Sequence, residues 1–156
     1  MAFGRPGVEN EAMTDGRRDL LDRLSSTAPA LAIAARAASP EPPAPGEWTP
    51  SDIVRHLIAV EREVWHPRLA QLDAEDHPTW PWAEPDRWTA NPDATLDDLL
   101  ATYAADRAST MATLDALDDA GWARTGTHAT FGVLDVAGLM DRAIDHDEEH
   151  LHSFET

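Results

Sequence analysis

The sequence contains no cysteine and no lysine. Without cysteine it has no disulfide, no thiolate ligand for zinc and no cysteine nucleophile. It also lacks any apolar run close to the ~20 residues that cross a bilayer, and its N-terminus lacks the basic and apolar segments of a secretory signal. We therefore expect a cytoplasmic protein with no membrane-spanning helix.

Positive charge is scarce. The 12 basic residues, all arginine, are outnumbered by 29 aspartates and glutamates, and the formal net charge is −17. Proteins bind nucleic acids largely through basic side chains on phosphates, and anionic membranes attract basic clusters. Because the sequence has no basic cluster, we expect no nucleic-acid partner and no docking on membranes.

The periodicity of apolar residues predicts helices throughout. Four stretches repeat apolar residues at helical spacing, and no stretch gives a convincing strand. Residues 1–13 are polar and aperiodic, which predicts a flexible segment before a single domain at 14–156. The fold class predicted from this pattern is all-α, a four-helix bundle.

The helix boundaries follow from local signals. The predicted helices begin near Thr14, after Thr49, after Thr95 and near Val133. Thr49 and Thr95 are each followed three positions later by an aspartate, the pattern of a capping box. Between the second and third helices, residues 76–94 hold three tryptophans and four prolines. So long a connection is usually functional or disordered, and the tryptophans favour an ordered loop over one end of the bundle.

Three histidines carry the functional argument. His146 and His150 lie four residues apart in the last predicted helix and extend its inward-facing row. Side chains at this spacing lie one above the other, so both imidazoles can bind one ion. His56, on the apolar face of the second helix, would supply a third imidazole. Three protein ligands leave a coordination position open, as in catalytic metal sites.

Other interpretations of these residues stay open. The pair could be solvated on an acidic helix, and His56 alone could be a hydrogen-bonded core histidine. A fourth ligand, such as His128 or an acid, would close the coordination sphere and indicate a non-catalytic metal-binding or dimerisation module. If the ion activates water, Glu63 and Asp147 are the candidate catalytic bases.

Two segments resemble a known family. Residues 48–57, WTPSDIVRHL, resemble the start of the second helix of DinB/YfiT-like four-helix bundle proteins. Residues 132–140, GVLDVAGLM, which lead into HDEEHL at 146–151, resemble the last helix of the same family. The resemblance extends over nearly the whole chain from about residue 17.

The resemblance implies a cofactor, a partner and a chemistry. It implies one divalent metal ion, commonly nickel or zinc, held by His56, His146 and His150, and it implies a homodimer. Some relatives transfer a low-molecular-weight thiol, some are mycothiol-dependent isomerases, and others are described as metal-dependent hydrolases. The main hypothesis is a metal-dependent transferase that joins such a thiol to a small-molecule substrate. The alternatives are a metal-dependent hydrolase and the non-catalytic module.

Overall fold

Four long helical rods form a bundle in the computed structural model, which describes residues 6–155. The helices are α1 (Pro6–Ala37), α2 (Pro50–Val60), α3 (His66–Ala74), α4 (Leu96–Asp115), α5 (Asp119–Trp122) and α6 (Val136–Ser153). The predicted four-helix bundle is confirmed, since α2 and α3 make one continuous rod and α5 is a single turn. The first helix begins at Pro6, earlier than predicted, and residues 1–5 lie outside the described residues.

The starts of α2 and α4 are capped as the sequence predicts. The Thr49 hydroxyl accepts the Asp52 backbone N–H at 3.1 Å, and the Asp52 carboxylate accepts the Thr49 backbone N–H at 3.0 Å. Thr95 and Asp98 make the same reciprocal pair at the start of α4. Both boxes satisfy backbone donors that a helix start otherwise leaves unpaired.

A π-helical turn, Glu61–Trp65, joins α2 to α3. Such a turn carries an extra residue in the helix, so residues beyond it are rotated relative to an uninterrupted α-helix. Glu61, Val64 and Trp65 are buried here, whereas Glu63 is exposed. The turn therefore changes which side chains of this rod face the bundle interior.

A three-stranded sheet lies beside the bundle, and the prediction that the chain has no strand was wrong. Its strands are β1 (Thr79–Trp80), β2 (Thr125–His128) and β3 (Gly132–Asp135). The first is parallel to β2, and β3 is antiparallel to β2. Because 132–135 pair as a strand, α6 begins at Val136 rather than near Val133, with the Asp135 carboxylate accepting the Gly138 N–H at 2.7 Å.

The core lies between the rods. Helix α1 packs on α4 and α6, and α2 packs on α4. The largest fully buried aliphatic side chains come from all four rods; they are Leu24, Leu31, Leu57, Ile58, Leu99, Leu114, Leu139, Met140 and Ile144. None of the helices within residues 6–155 has both the length and the apolar character that a bilayer crossing requires.

Candidate metal centre

Three histidines from two rods converge at one point. The Nε2 atom of His146 lies 3.1 Å from Nε2 of His56 and 3.2 Å from Nε2 of His150. One ring nitrogen from each of the three lies within 4.8 Å of the others. Among the side chains that the structure describes, those of residues 14–155, no other group of three histidines, cysteines or acids meets this condition. The structure thus brings together the three residues that the sequence proposes as ligands.

These distances fit a shared divalent cation. Two nitrogens bound to one zinc-like ion at about 2.0–2.1 Å are separated by roughly 2.9–3.4 Å, depending on the angle at the ion. The observed separations of 3.1 and 3.2 Å match that spacing. Imidazole also suits zinc, nickel, copper and iron, so the donor set fits a transition metal without selecting one.

The tautomer of His56 is set by the loop between the second and third rods. Its Nδ1 lies 2.8 Å from the carbonyl oxygen of Asp86. Because a carbonyl only accepts, Nδ1 carries the proton, and the lone pair of the neutral ring is on Nε2. Such a hydrogen bond from the far side of a ring orients metal-binding histidines. The loop therefore presents His56 in the form that binds an ion.

The other two rings are held neutral by their surroundings. Burial, together with the neighbouring His150, His56 and Arg107, lowers the pKa of His146 to about 3. Burial and His56 lower the pKa of His150 to about 4. The Nδ1 atom of His146 is buried without a hydrogen-bond partner. A buried polar atom left unpaired in this way costs stability and is often found at functional sites.

A pocket of about 310 Å³ adjoins the cluster at His146. Its apolar walls come from the second rod, the tryptophan-rich loop, the sheet and α6, and they include Val64, Trp65, Trp82, Phe131 and Leu139. His146 is the member of the cluster that lines this pocket. A molecule in the pocket would therefore lie next to any ion that the histidines hold.

The two acids that the sequence singled out as bases do not face this pocket. Glu63 lies in the π turn and is exposed. Asp147 is buried, and its carboxylate accepts hydrogen bonds from Arg107 at 2.7 Å and from Thr27 at 2.9 Å. Neither carboxylate belongs to the group of convergent ligand atoms or to the pocket lining, and the catalytic role expected for each stays a prediction.

Sequence reasoning missed a buried ionic network beside the cluster. The Arg107 guanidinium donates to Glu61 at 2.6 Å and to Asp147 at 2.7 Å, and all three side chains are at most 3% exposed. Burial alone would lower the pKa of Arg107, but Tyr103, Asp147 and Glu61 outweigh it and raise that pKa. The network ties α4 to the π turn and to the turn of α6 that carries His146. One sequence feature could have predicted this network: Arg107 lies in the same apolar row of α4 as Tyr103 and Leu114.

Sequence reasoning also missed Arg68 and could not place His128, two polar residues of the pocket wall. Arg68 and His128 both line the pocket and are 7% and 3% exposed. His128, considered above as a fourth ligand, lies in the pocket wall and is not part of the three-histidine group. Its position depends on β2, which the sequence does not predict.

Comparison with known proteins agrees with this architecture. The chain is similar to the crystal structure of YfiT from Bacillus subtilis, described as a probable metal-dependent hydrolase with an unusual four-helix bundle topology (TM-score 0.69, 19% identity, covering 88% of this chain and 83% of that chain). It is also similar to TT2238, described as a four-helix bundle protein (TM-score 0.63, 25% identity, covering 88% and 97%). No curated protein matches the chain.

The family assignment rests on the sequence itself. The family model of the DinB superfamily matches residues 12–153. This span contains most of α1, the other three rods, the three histidines and the residues that line the pocket. The two solved structures show the same fold. This chain therefore belongs to the DinB superfamily.

Proposed function

We propose that this protein is a divalent-metal-dependent hydrolase of small molecules, with His56, His146 and His150 as the metal ligands. The observation that carries the proposal is the convergence of three Nε2 atoms at 3.1 and 3.2 Å beside a pocket. The solved relative from Bacillus subtilis, described as a probable metal-dependent hydrolase, supports the same class of reaction. Nickel and zinc are the proposed ions, since both accept imidazole ligands.

The chain's own residues set up the chemistry. A divalent ion held by three imidazoles supplies Lewis acidity and lowers the pKa of water in an open position. Asp86 orients His56, and burial keeps His146 and His150 neutral at pH 7. The apolar pocket walls exclude bulk water from the substrate, which strengthens electrostatic interactions there.

A carboxylate on the pocket rim can accept a proton. Glu149 lines the pocket three residues after His146 and is exposed. Asp145 also lines the pocket, but it forms an ion pair with Arg142 at 2.9 Å. We assign the role of proton acceptor to Glu149, because its carboxylate has no ion pair among the described residues and a general base must reach the reacting water.

One observation favours thiol transfer as a second candidate. Trp82 of the tryptophan-rich loop does line the pocket and is 58% exposed, so it offers an apolar face to an electrophile. A thiol in the open coordination position would be activated for the same physical reason as water. The two candidates share the metal ligands and differ only in the nucleophile.

Metal content tests the site, and a substrate panel tests the reaction. Elemental analysis of the wild type and His146→Ala should show about one equivalent of metal in the first and little in the second. His152→Ala is the matched control, because this exposed histidine lies on the same helix, outside the three-histidine group, and its ring hydrogen-bonds to the Glu148 carbonyl. Equal metal in wild type and His146→Ala would refute the site.

The reaction is then measured on metal-loaded protein. Esters, amides and electrophiles with an added low-molecular-weight thiol are compared with and without chelation. We expect turnover of an ester or amide that stops on chelation. Conjugation of the thiol with no hydrolysis would reject the hydrolase in favour of thiol transfer.

A further inference from the structure

The pocket beside His146 contains two buried polar groups that the proposed reaction does not use. Most of its wall is apolar, and its volume of about 310 Å³ suits a small organic molecule. The polar exceptions below the rim are Arg68 and His128, which are almost fully buried. A few polar groups in an apolar pocket usually fix the orientation of a ligand.

Arg68 is a buried cation with no acidic partner. Its Nη2 donates to the Pro81 carbonyl at 2.9 Å, and the guanidinium lies 5.7 Å from the centre of the Trp80 ring. No carboxylate among residues 14–155, whose side chains the structure describes, lies within ion-pair distance of it, although the chain carries 29 acidic residues. Buried charges are normally paired, because an isolated one loses its hydration. Arg68 therefore retains donors for an anion that the described chain does not supply.

His128 adds a second donor to the same wall. Its Nδ1 accepts the backbone N–H groups of Thr130 at 3.0 Å and Phe131 at 3.3 Å. A nitrogen that accepts two hydrogen bonds carries no proton, so the neutral ring has its N–H on Nε2. Burial, with the nearby charge of Arg68, lowers the pKa of His128 and keeps the ring neutral. No described residue accepts the Nε2 proton, which leaves it available to a ligand.

We propose that the pocket selects small aromatic monocarboxylates, with the carboxylate on Arg68 and on the His128 Nε2–H. The aromatic part would lie against Trp82 and Phe131, whose ring centres are 6.1 Å apart. The reacting group would then lie toward His146. This inference rests on the proposed function for the reaction, but the carboxylate subsite is formed by residues outside the metal ligands.

The charge of the two donors sets the charge of the ligand. Arg68 contributes one positive charge and neutral His128 contributes none, so one negative charge is balanced. A guanidinium also matches the planar geometry of a carboxylate. The acids that line the same pocket, Glu84, Asp145 and Glu149, are exposed at its rim. Solvent and salt screen them, whereas the buried Arg68 is screened much less.

The test measures binding rather than turnover. Phenylacetate and its neutral analogue phenylacetamide are titrated by ligand-observed NMR into the metal-loaded protein and into metal-free protein prepared by chelation and dialysis. The two probes have the same size and differ in charge. We expect phenylacetate to bind about tenfold more tightly or better, as for one charge-assisted hydrogen bond, in both forms of the protein.

Two variants and one control test which residues cause the preference for phenylacetate over phenylacetamide. Arg68→Gln removes the charge. His128→Asn keeps an oxygen near the position of Nδ1 as acceptor for Thr130 and Phe131, but removes the Nε2–H donor. Both should reduce the preference for the carboxylate while phenylacetamide still binds. Arg36→Gln removes one charge from an exposed ion pair with Asp97 and should leave the preference intact.

The outcomes separate this inference from the proposed function. Equal affinity for the two probes in the wild type, or no binding of either, overturns the inference. A preference that survives Arg68→Gln but disappears with the metal also overturns it, because the carboxylate would then bind the ion. If the protein takes up no metal, the proposed function fails. The preference for phenylacetate measured in metal-free protein still shows whether Arg68 and His128 form a carboxylate site. Circular dichroism confirms that each variant is folded.

Discussion

The Nε2 atom of His56 lies 3.1 Å from the Nε2 atom of His146, although 90 positions separate the two residues in the chain. The proximity results from packing between rods, since His56 belongs to α2 and His146 to α6. Helix periodicity placed each ring on an inward face, and the core between the rods brought the faces together. The convergence of the three imidazoles is thus a property of the bundle rather than of a local loop.

The first prediction concerns the pH dependence of stability in metal-free protein. His146 and His150 have folded pKa values of about 3 and about 4, below the ordinary 6.5. Below pH 6.5 the unfolded chain binds protons that the folded protein does not, so stability should fall as pH decreases toward 4. Thermal unfolding of chelated protein between pH 7 and 4.5 measures this decrease.

Other groups titrate in the same window, so a control variant is needed. In His146→Gln combined with His150→Gln, the melting temperature should fall less steeply between pH 6.5 and 4.5 than in the wild type. Identical slopes in the two proteins would contradict the assignment of the effect to this pair. Added zinc or nickel should raise the wild-type melting temperature at pH 7, since an ion that binds only the folded state stabilises it.

The second prediction concerns the buried ionic network. Arg107→Met leaves the carboxylates of Glu61 and Asp147 buried without their cation. Removing one partner of a buried pair typically costs about 3–5 kcal/mol. Denaturant unfolding should show a loss of that order. Arg36→Met, at an exposed pair with Asp97, should cost at most about 1 kcal/mol. Similar small losses in both variants would show that the network contributes little.

The third prediction concerns the close packing of β2 against β1. A Cβ added at Gly126 would lie 2.5 Å from a Trp80 ring atom and 2.9 Å from the Pro78 carbonyl oxygen. Gly126→Ala should therefore destabilise the protein by about 1–3 kcal/mol, the usual cost of overpacking. Gly16 in α1 has no atom within 4 Å of its added Cβ, so Gly16→Ala should be neutral or stabilising. Chemical unfolding of both variants measures the difference, and equal effects would argue against tight packing at the strand.

The fourth prediction compares two candidate bases once a hydrolysed substrate is identified. Glu149→Gln should lower kcat by about a hundredfold or more, as loss of a general base usually does. Glu63→Gln should have little effect, because Glu63 is exposed on the π turn and does not line the pocket. Metal content should be unchanged in both variants, which separates catalysis from metal loss. A larger effect at Glu63 would restore the role that the sequence suggested for it.

Much of the bundle was predictable because its signals are local. The capping boxes at Thr49 and Thr95 and the helical rows of apolar residues are all read from nearby residues. The same periodicity placed His56, His146 and His150 on inward faces, and the structure brings them together. Cytoplasmic location and the homodimer stay predictions.

The remaining features depend on interactions between distant segments. Strands β2 and β3 have four residues each, and β1 has two, so no periodic pattern distinguishes them from turns. Glu63 was expected beside His56 on a regular α-helix, whereas the chain makes a π turn there and Glu63 is exposed. The buried hydrogen bond of Asp147 to Arg107, 40 positions away, could not be foreseen for a similar reason, and its role as a base stays a prediction.

The three histidines lie on rods, whereas Trp82, His128 and Phe131 lie on the loop and strands at one side of the bundle. Substitutions at the pocket-lining positions of those segments change the cavity without replacing any of the three histidines, provided that Asp86, whose carbonyl orients His56, stays in place. The lining of the pocket and the three-histidine group can therefore vary separately. A library confined to 81–84 and 128–134 should accordingly yield altered selectivity at constant metal occupancy.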